Sequence, residues 1–154
     1  VCTIVSKLLH IVNPDRLYLG MKDAQQLRII VKMVEDLFFP VQVVPAATVR
    51  EDDGLACSSR NNYLDTKQRE IAPVLFQALQ QGQQTFENGE RDTTVIIGQV
   101  RSYIEKYEDF RIQYIDLLDW ETFAPRRRIE NKSILALACY LGQTRLIDNV
   151  FLLP

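Results

Sequence analysis

The sequence predicts a mixed α/β protein in two parts: the end of a parallel, doubly wound sheet, then a small α+β unit with a three-stranded antiparallel sheet. Three observations carry that prediction. Up to Pro45, helix-period and strand-period runs alternate with short connections. After Asn62, two helical runs are followed by three β-rich runs. Between them, residues 48–62 are polar, charged and broken by Gly54, which marks a boundary. The division is set at 1–47 and 48–154.

Val1, Ile4, Val5, Leu8, Leu9 and Val12 recur at helical spacing, and Asn13-Pro14 stops that helix. Residues 16–19 read as a buried strand ending at Gly20. Asp23 lies at the start of a second helix with Leu27, Ile30, Val31, Val34 and Leu37 on its apolar face, closed by Phe39-Pro40. Residues 41–44 form a second strand capped by Pro45. Two strands are too few for a sheet of this type. The chain also opens on Val inside a helical pattern, so it reads as a piece of something longer. It is not a signal peptide, having neither a basic leader nor a small-residue cleavage site.

In the second part, Asp65 or Thr66 caps one long helix that contains Ile71, Val74, Leu75, Ala78 and Leu79 and ends near Asn88-Gly89. Asp92 caps another, with Val95, Ile96, Val100, Tyr103 and Ile104. The β-rich runs are 112–117, 133–140 and 145–153.

Composition excludes several functions. Eighteen Lys and Arg against twenty Asp and Glu give a net charge of −2. Coating nucleic acid needs a strongly basic face, so no nucleic-acid partner is expected. No apolar run approaches the ~20 residues that span a bilayer, so no membrane partner is expected either. Cys2, Cys57 and Cys139 are odd in number and widely spaced, which fits neither a disulfide framework nor a zinc site and points to a reducing cytoplasm. His10 is the single histidine, so no His-based metal site or catalytic triad is expected.

Two loops offer chemistry. Gly20-Met-Lys-Asp-Ala-Gln-Gln26 lies where a strand ends and a helix begins, the end at which open α/β sheets bind ligands. Glycine lets a ligand approach the backbone, the helix start favours an anion, Lys22 adds charge and Gln26 offers polar contacts. The same residues also fit a plain turn with Asp23 as helix cap. Gly54-Leu-Ala-Cys-Ser-Ser-Arg-Asn61 groups two hydroxyls and an arginine, a donor set for phosphate, or else a turn-rich inter-domain loop. Cys57 has no base nearby in sequence. Arg126-Arg127-Arg128 reads as a solvated loop and Asp148-Asn149 as a turn or hydrogen-bonding pair.

Taken together, Gly20-x-Lys-Asp-x-Gln-Gln26, Thr48-Val-Arg-Glu, Asp53-Gly-Leu-Ala-x-Ser-Ser-Arg-Asn-x-Tyr-Leu64 and Thr144-Arg-Leu-Ile-Asp-Asn149 resemble the pantothenate synthetases, or pantoate–β-alanine ligases. The resemblance runs along all 154 residues but covers only the C-terminal half, or slightly more, of a typical member. It implies the end of a Rossmann-like domain of the nucleotidyltransferase superfamily (1–47) and a C-terminal α+β lid domain (48–154). It also implies a cytoplasmic homodimer. The implied reaction has ATP and pantoate forming pantoyl adenylate and pyrophosphate in the presence of Mg²⁺. β-Alanine then displaces AMP to give pantothenate.

Carried over residue by residue, the resemblance places Gly20, Met21, Lys22 and Asp23 at ATP and Gln26 at pantoate. Val49 falls at the adenine, and Cys57, Ser58, Ser59 and Arg60 at the triphosphate. Lys22 and Arg60 take the catalytic charge-neutralising roles, and no residue is assigned to a metal. Met21 stands where many members have Glu. The family's paired histidines, from an N-terminal nucleotide motif, are missing, so the chain alone is expected to be inactive. Two other readings are a non-catalytic nucleotide-binding or interaction module and another adenylate-forming nucleotidyltransferase. Some members of the family are fused to a nucleotide kinase.

Overall fold

The computed structural model describes residues 1–154, which divide into two compact units, Val1–Thr48 and Val49–Pro154. The first contains helix α1 (Cys2–Val12), strand β1 (Arg16–Gly20), helix α2 (Ala24–Asp36) and strand β2 (Gln42–Ala46). β1 and β2 pair in parallel, Leu17 opposite Val43 and Gly20 opposite Ala46, which sets the carboxyl ends of both strands level. Leu9 of α1 and Ile30 and Met33 of α2 form the buried centre, joined by Val5, Leu17, Leu19, Val34 and Phe39.

Five details of this unit differ from the sequence reading. Strand β1, expected to be buried, is not: Arg16, Tyr18 and Gly20 are exposed and Leu17 and Leu19 half-buried. The α1 stripe splits: Leu9 is buried, whereas Val1, Ile4, Leu8 and Val12 are exposed. α2 stops at Asp36, leaving Leu37 outside it and 60 % exposed. The stop is made by Phe38 at φ 52, before Phe39-Pro40 is reached. Phe38 N–H donates to Glu35 O (3.3 Å) and Phe39 N–H to Val34 O (3.1 Å), the paired bonds of a Schellman cap. Strand β2 runs through Pro45, which pairs with Leu19, instead of ending before it. In a two-stranded sheet each strand has an open edge, where proline's missing N–H costs nothing.

The second unit contains helices α3 (Thr66–Ile71), α4 (Val74–Glu87) and α5 (Thr93–Ile104), then strands β3 (Phe110–Asp119), β4 (Ser133–Leu141) and β5 (Thr144–Leu152). The strands form the three-stranded antiparallel sheet that the sequence predicts, and their order is β3-β4-β5. The single long helix expected after Asp65 is two helices. Pro73 has no N–H and its ring clashes with the carbonyl four residues back, so the chain breaks there and restarts. Asp65 does cap α3, in a capping box with Gln68. Asp92 caps α5 through the Thr94 N–H (2.8 Å). That bond holds the Asp92 carboxyl below its ordinary range.

Leu75, Leu79, Ile96, Val100 and Ile104 of the helices pack on Leu135, Leu137, Cys139 and Leu141 of β4. Val95, expected on the α5 core face, is 43 % exposed instead. Burial pushes the Cys139 thiol up to about 12, so it is a small core hydrophobe with no thiolate chemistry. Gly82 is where α4 comes close to its neighbours: a Cβ there would lie 2.7 Å from Leu135 Cδ2 and 2.8 Å from Val100 Cγ2.

Candidate functional site

In the first unit, the Gly20–Gln26 segment leaves the carboxyl end of β1, makes a 3₁₀ turn over Met21–Asp23 and enters α2. Gly20 has ordinary extended geometry, φ −70 and ψ 131. A Cβ built on it meets nothing within 4 Å. Neither the backbone nor the packing of this unit requires glycine there, so the space beside it is open. Asp23 occupies the N-cap position of α2 but makes no capping bond. The plain-cap reading of Asp23 is therefore not what its side chain does. Gln26 lies in the first turn of α2 and is exposed, and Lys22 is half-buried just before the helix.

In the second unit, residues 49–57 fold back on themselves. Cys57 N–H donates to Val49 O (2.9 Å) and Glu51 N–H to Leu55 O (2.9 Å), with Arg50 bridged to Ala56. The tip is a turn closed by Gly54 N–H to Glu51 O (2.8 Å). Gly54 sits at φ +92, and a Cβ there would come within 2.6 Å of the Phe76 ring. Only glycine serves at this point. The closure sets Val49, 70 % exposed, beside the exposed Cys57 at the mouth.

Ser58 follows and caps the 3₁₀ turn Ser59–Tyr63 by accepting from Arg60 N–H (3.2 Å). The Ser58–Arg60 segment is thus a capped turn, and Ser59 and Arg60 are exposed. The Arg60 guanidinium carries no ion pair.

Two arginines hold this loop, and the sequence reading assigned neither a role. Beneath it, Arg50 makes a bidentate pair with the buried Asp148 of β5 (2.6 and 2.9 Å). It also donates to Gly54 O (3.0 Å) and lies 3.7 Å over the Phe76 ring. Outside it, Arg69 of α3 forks between Glu51 and Asp53, both at 2.5 Å. The Asn61 amide and then Arg69 hold the Glu51 carboxyl below its ordinary range, and Arg69 does the same for Asp53. Asn61 Nδ2 donates to Glu51 Oε1 (2.9 Å) and Ala56 O (3.3 Å), while its Oδ1 is buried with no partner.

Arg50 and Asp148 stand in runs the sequence reading quoted, Thr48-Val-Arg-Glu and Thr144-Arg-Leu-Ile-Asp-Asn149. Their pairing spans 98 residues, however, and no local pattern signals it. Asp148-Asn149 is a hydrogen-bonding pair inside β5, not a turn. No group of three or more His, Cys, Asp or Glu side chains is placed to hold a metal. No helix is long and apolar enough to cross a membrane.

Comparison with known proteins converges on one family. The family described as pantoate-beta-alanine ligase matches residues 1–151. A pantothenate synthetase of Caldicellulosiruptor saccharolyticus is 47% identical over 150 residues, 97% of this chain and 53% of the relative. A bifunctional pantoate ligase/cytidylate kinase of Synechococcus is 47% identical over the whole chain, which is 28% of that relative. The crystal structure of pantothenate synthetase from Thermus thermophilus superposes with a TM-score of 0.95 at 37% identity, covering 99% of this chain and 55% of the other. The Francisella tularensis ligase, complexed with beta-gamma ATP and beta-alanine, gives a TM-score of 0.69 at 32% identity, covering 97% and 48%. The chain thus spans about half the length of the single-function relatives and just over a quarter of the bifunctional one. Over that span its sequence and its fold agree, and the chain belongs to the pantoate–β-alanine ligase family.

Proposed function

We propose that this chain supplies the C-terminal portion of an ATP-dependent pantoate–β-alanine ligase working through a pantoyl adenylate. The observation that carries the reading is the Gly20–Gln26 segment. It leaves the carboxyl end of a parallel strand, has open space beside Gly20, and has a helix start that Asp23 leaves uncapped. The Francisella relative's complex with beta-gamma ATP and beta-alanine supports the choice of ligands.

Adenylation is an in-line attack of the pantoate carboxylate on the α-phosphorus, with pyrophosphate leaving. No protein nucleophile is needed, so catalysis consists of positioning and charge neutralisation. In this proposal Gly20, Met21 and Asp23 position ATP, with Lys22 neutralising its phosphates, and Gln26 holds pantoate. Val49 contacts the adenine, and Cys57, Ser58, Ser59 and Arg60 hold the triphosphate. Mg²⁺, when bound, would be held chiefly by the nucleotide phosphates, and no residue of this chain is assigned to it. It would add to the charge neutralisation that Lys22 and Arg60 supply. The 154 residues alone do not turn over, since His10 is the single histidine and packs against Phe39 at 5.1 Å. The whole protein is read as a homodimer.

A chimera tests this: the C-terminal half of the Caldicellulosiruptor enzyme is replaced by this chain. Pantoate-dependent exchange between pyrophosphate and ATP isolates the first step. The chimera exchanges, and Lys22→Ala and Arg60→Ala each slow it by about 10²–10³-fold. Arg60→Lys is impaired too, because an ammonium cannot copy the fork, and Ser58→Ala is milder. If both alanine variants leave exchange intact and raise the β-alanine requirement instead, the assigned roles are wrong.

A further inference from the structure

We infer that Arg145 is a further phosphate-binding cation, acting beside Arg60 on the diphosphate end of a nucleotide. The inference rests on the phosphate reading of Arg60. Both arginines line one shallow groove of about 430 Å³, with Tyr63, Gln143 and Thr144 as the other walls. That lining holds two cations and no carboxylate.

Of the other half-buried arginines of this unit, Arg50 and Arg69 are occupied by carboxylates at 2.5–2.9 Å, and Arg91 is folded onto the Phe86 and Glu90 carbonyls away from this groove's lining. Arg145 is half-buried as well, yet its partner is neutral: Nε donates to Gln113 Oε1 (2.7 Å). Gln113 sits at the register shift between Ile112 and Tyr114, a bulge that re-aims its side chain. Gln113 thus anchors one edge of the guanidinium, and the Nη1 and Nη2 hydrogens are left for a ligand.

Arg111 is in register with Tyr140, and Tyr140 with Arg145, so a third positive charge stands two strands away, over the Tyr140 ring. Like charges gathered without acids raise the free energy of the empty groove and lower that of an anion in it. The ligand class follows from the walls. An amino acid would bring its ammonium against two cations with no carboxylate to receive it. A diphosphate offers an acceptor group to each arginine and more to the Thr144 and Tyr63 hydroxyls.

The test is titration of this chain with inorganic pyrophosphate by calorimetry at low salt, where a bare phosphate site is least screened. Arg145→Gln and Arg60→Gln each weaken binding about tenfold. Arg145→Lys recovers part of the loss, Gln113→Ala loses less than Arg145→Gln, and added salt weakens the parent more than either Gln variant. The urea midpoint of Trp120 fluorescence stays near the parent's in Arg145→Gln, which separates ligand binding from a merely structural role. Weakening by Arg60→Gln with none by Arg145→Gln overturns this inference and leaves the Arg60 reading standing. Weakening by Arg145→Gln alone overturns the shared groove. Absence of pyrophosphate binding, or indifference of both variants, overturns the inference and the Arg60 reading together.

Discussion

Replacing Asp148 by alanine tests the claim that the 49–57 loop is clamped from below. Asp148 is 4 % exposed and takes both Arg50 nitrogens at 2.6 and 2.9 Å. Its loss leaves Arg50 partly buried over Phe76, with only the Gly54 and Asn149 carbonyls as acceptors. Breaking a buried pair by removing one partner costs about 3–5 kcal/mol, against a whole-domain stability of roughly 5–15 kcal/mol. Arg50→Ala strands the carboxylate instead and costs a similar amount. Because each single change orphans the other group, the double variant Arg50→Ala with Asp148→Ala costs clearly less than the two singles summed, by about 1–3 kcal/mol. Urea unfolding at pH 7 reads this directly. The single tryptophan, Trp120, packs edge-on against Phe151 of β5 at 4.8 Å, so its fluorescence follows the second unit. Singles costing under about 1 kcal/mol, or strictly additive changes, refute the clamp.

Three further outcomes follow from packing and charge. Gly82→Ala gains about 1 kcal/mol of helix propensity, but its Cβ collides with Leu135 and Val100, an overpacking cost of about 1–3 kcal/mol; the net is a lower urea midpoint, and a raised one contradicts the close approach. Phe38→Gly relieves an exposed aromatic at φ 52, a strain of roughly 1–2 kcal/mol that outweighs the entropy of about 0.4–1 kcal/mol added to the unfolded chain, and raises the melting temperature of the first unit; no rise by calorimetry argues against strain at that cap. Arg69 depresses the Glu51 and Asp53 carboxyls, so its contribution is full above their unfolded pKa values and fades as pH falls through the lower folded ones. These groups are about a third exposed or more, so the gap between parent and Arg69→Ala is at most about 1 kcal/mol at pH 7 and closes below about pH 4; a gap independent of pH sinks this account.

Legibility in the sequence followed the range of the interactions. Helix periods, the Asp65 and Asp92 caps and the three β-rich runs are local signals, and each element appears. Pro73 is also local, but the apolar period continues through it from Ile71 to Val74, and the period outweighed the ring. Leu37 and Val95 keep the helical period while the chain before them turns or their face meets solvent. Gly20 and Asp23 were visible as a strand-to-helix corner; that their surroundings are open and uncapped was not. The loop at 49–63 is legible in the sequence as a polar run with a phosphate-donor set at Ser58, Ser59 and Arg60, but not as an ordered structure. Its order comes from Arg50 and Arg69, whose partners lie 98, 18 and 16 residues away.

Residues 49–57 hang on anchors outside themselves: Asp148 in β5, Phe76 in α4 and Arg69 in α3. The loop is therefore not a cassette. Grafted alone onto another scaffold, it would bring a guanidinium without its acid, two acids without their guanidinium, and a φ +92 glycine shaped to a ring left behind. Transplantation succeeds only when all four pieces move together, and drift at any one anchor re-shapes the mouth where Val49 and Cys57 meet.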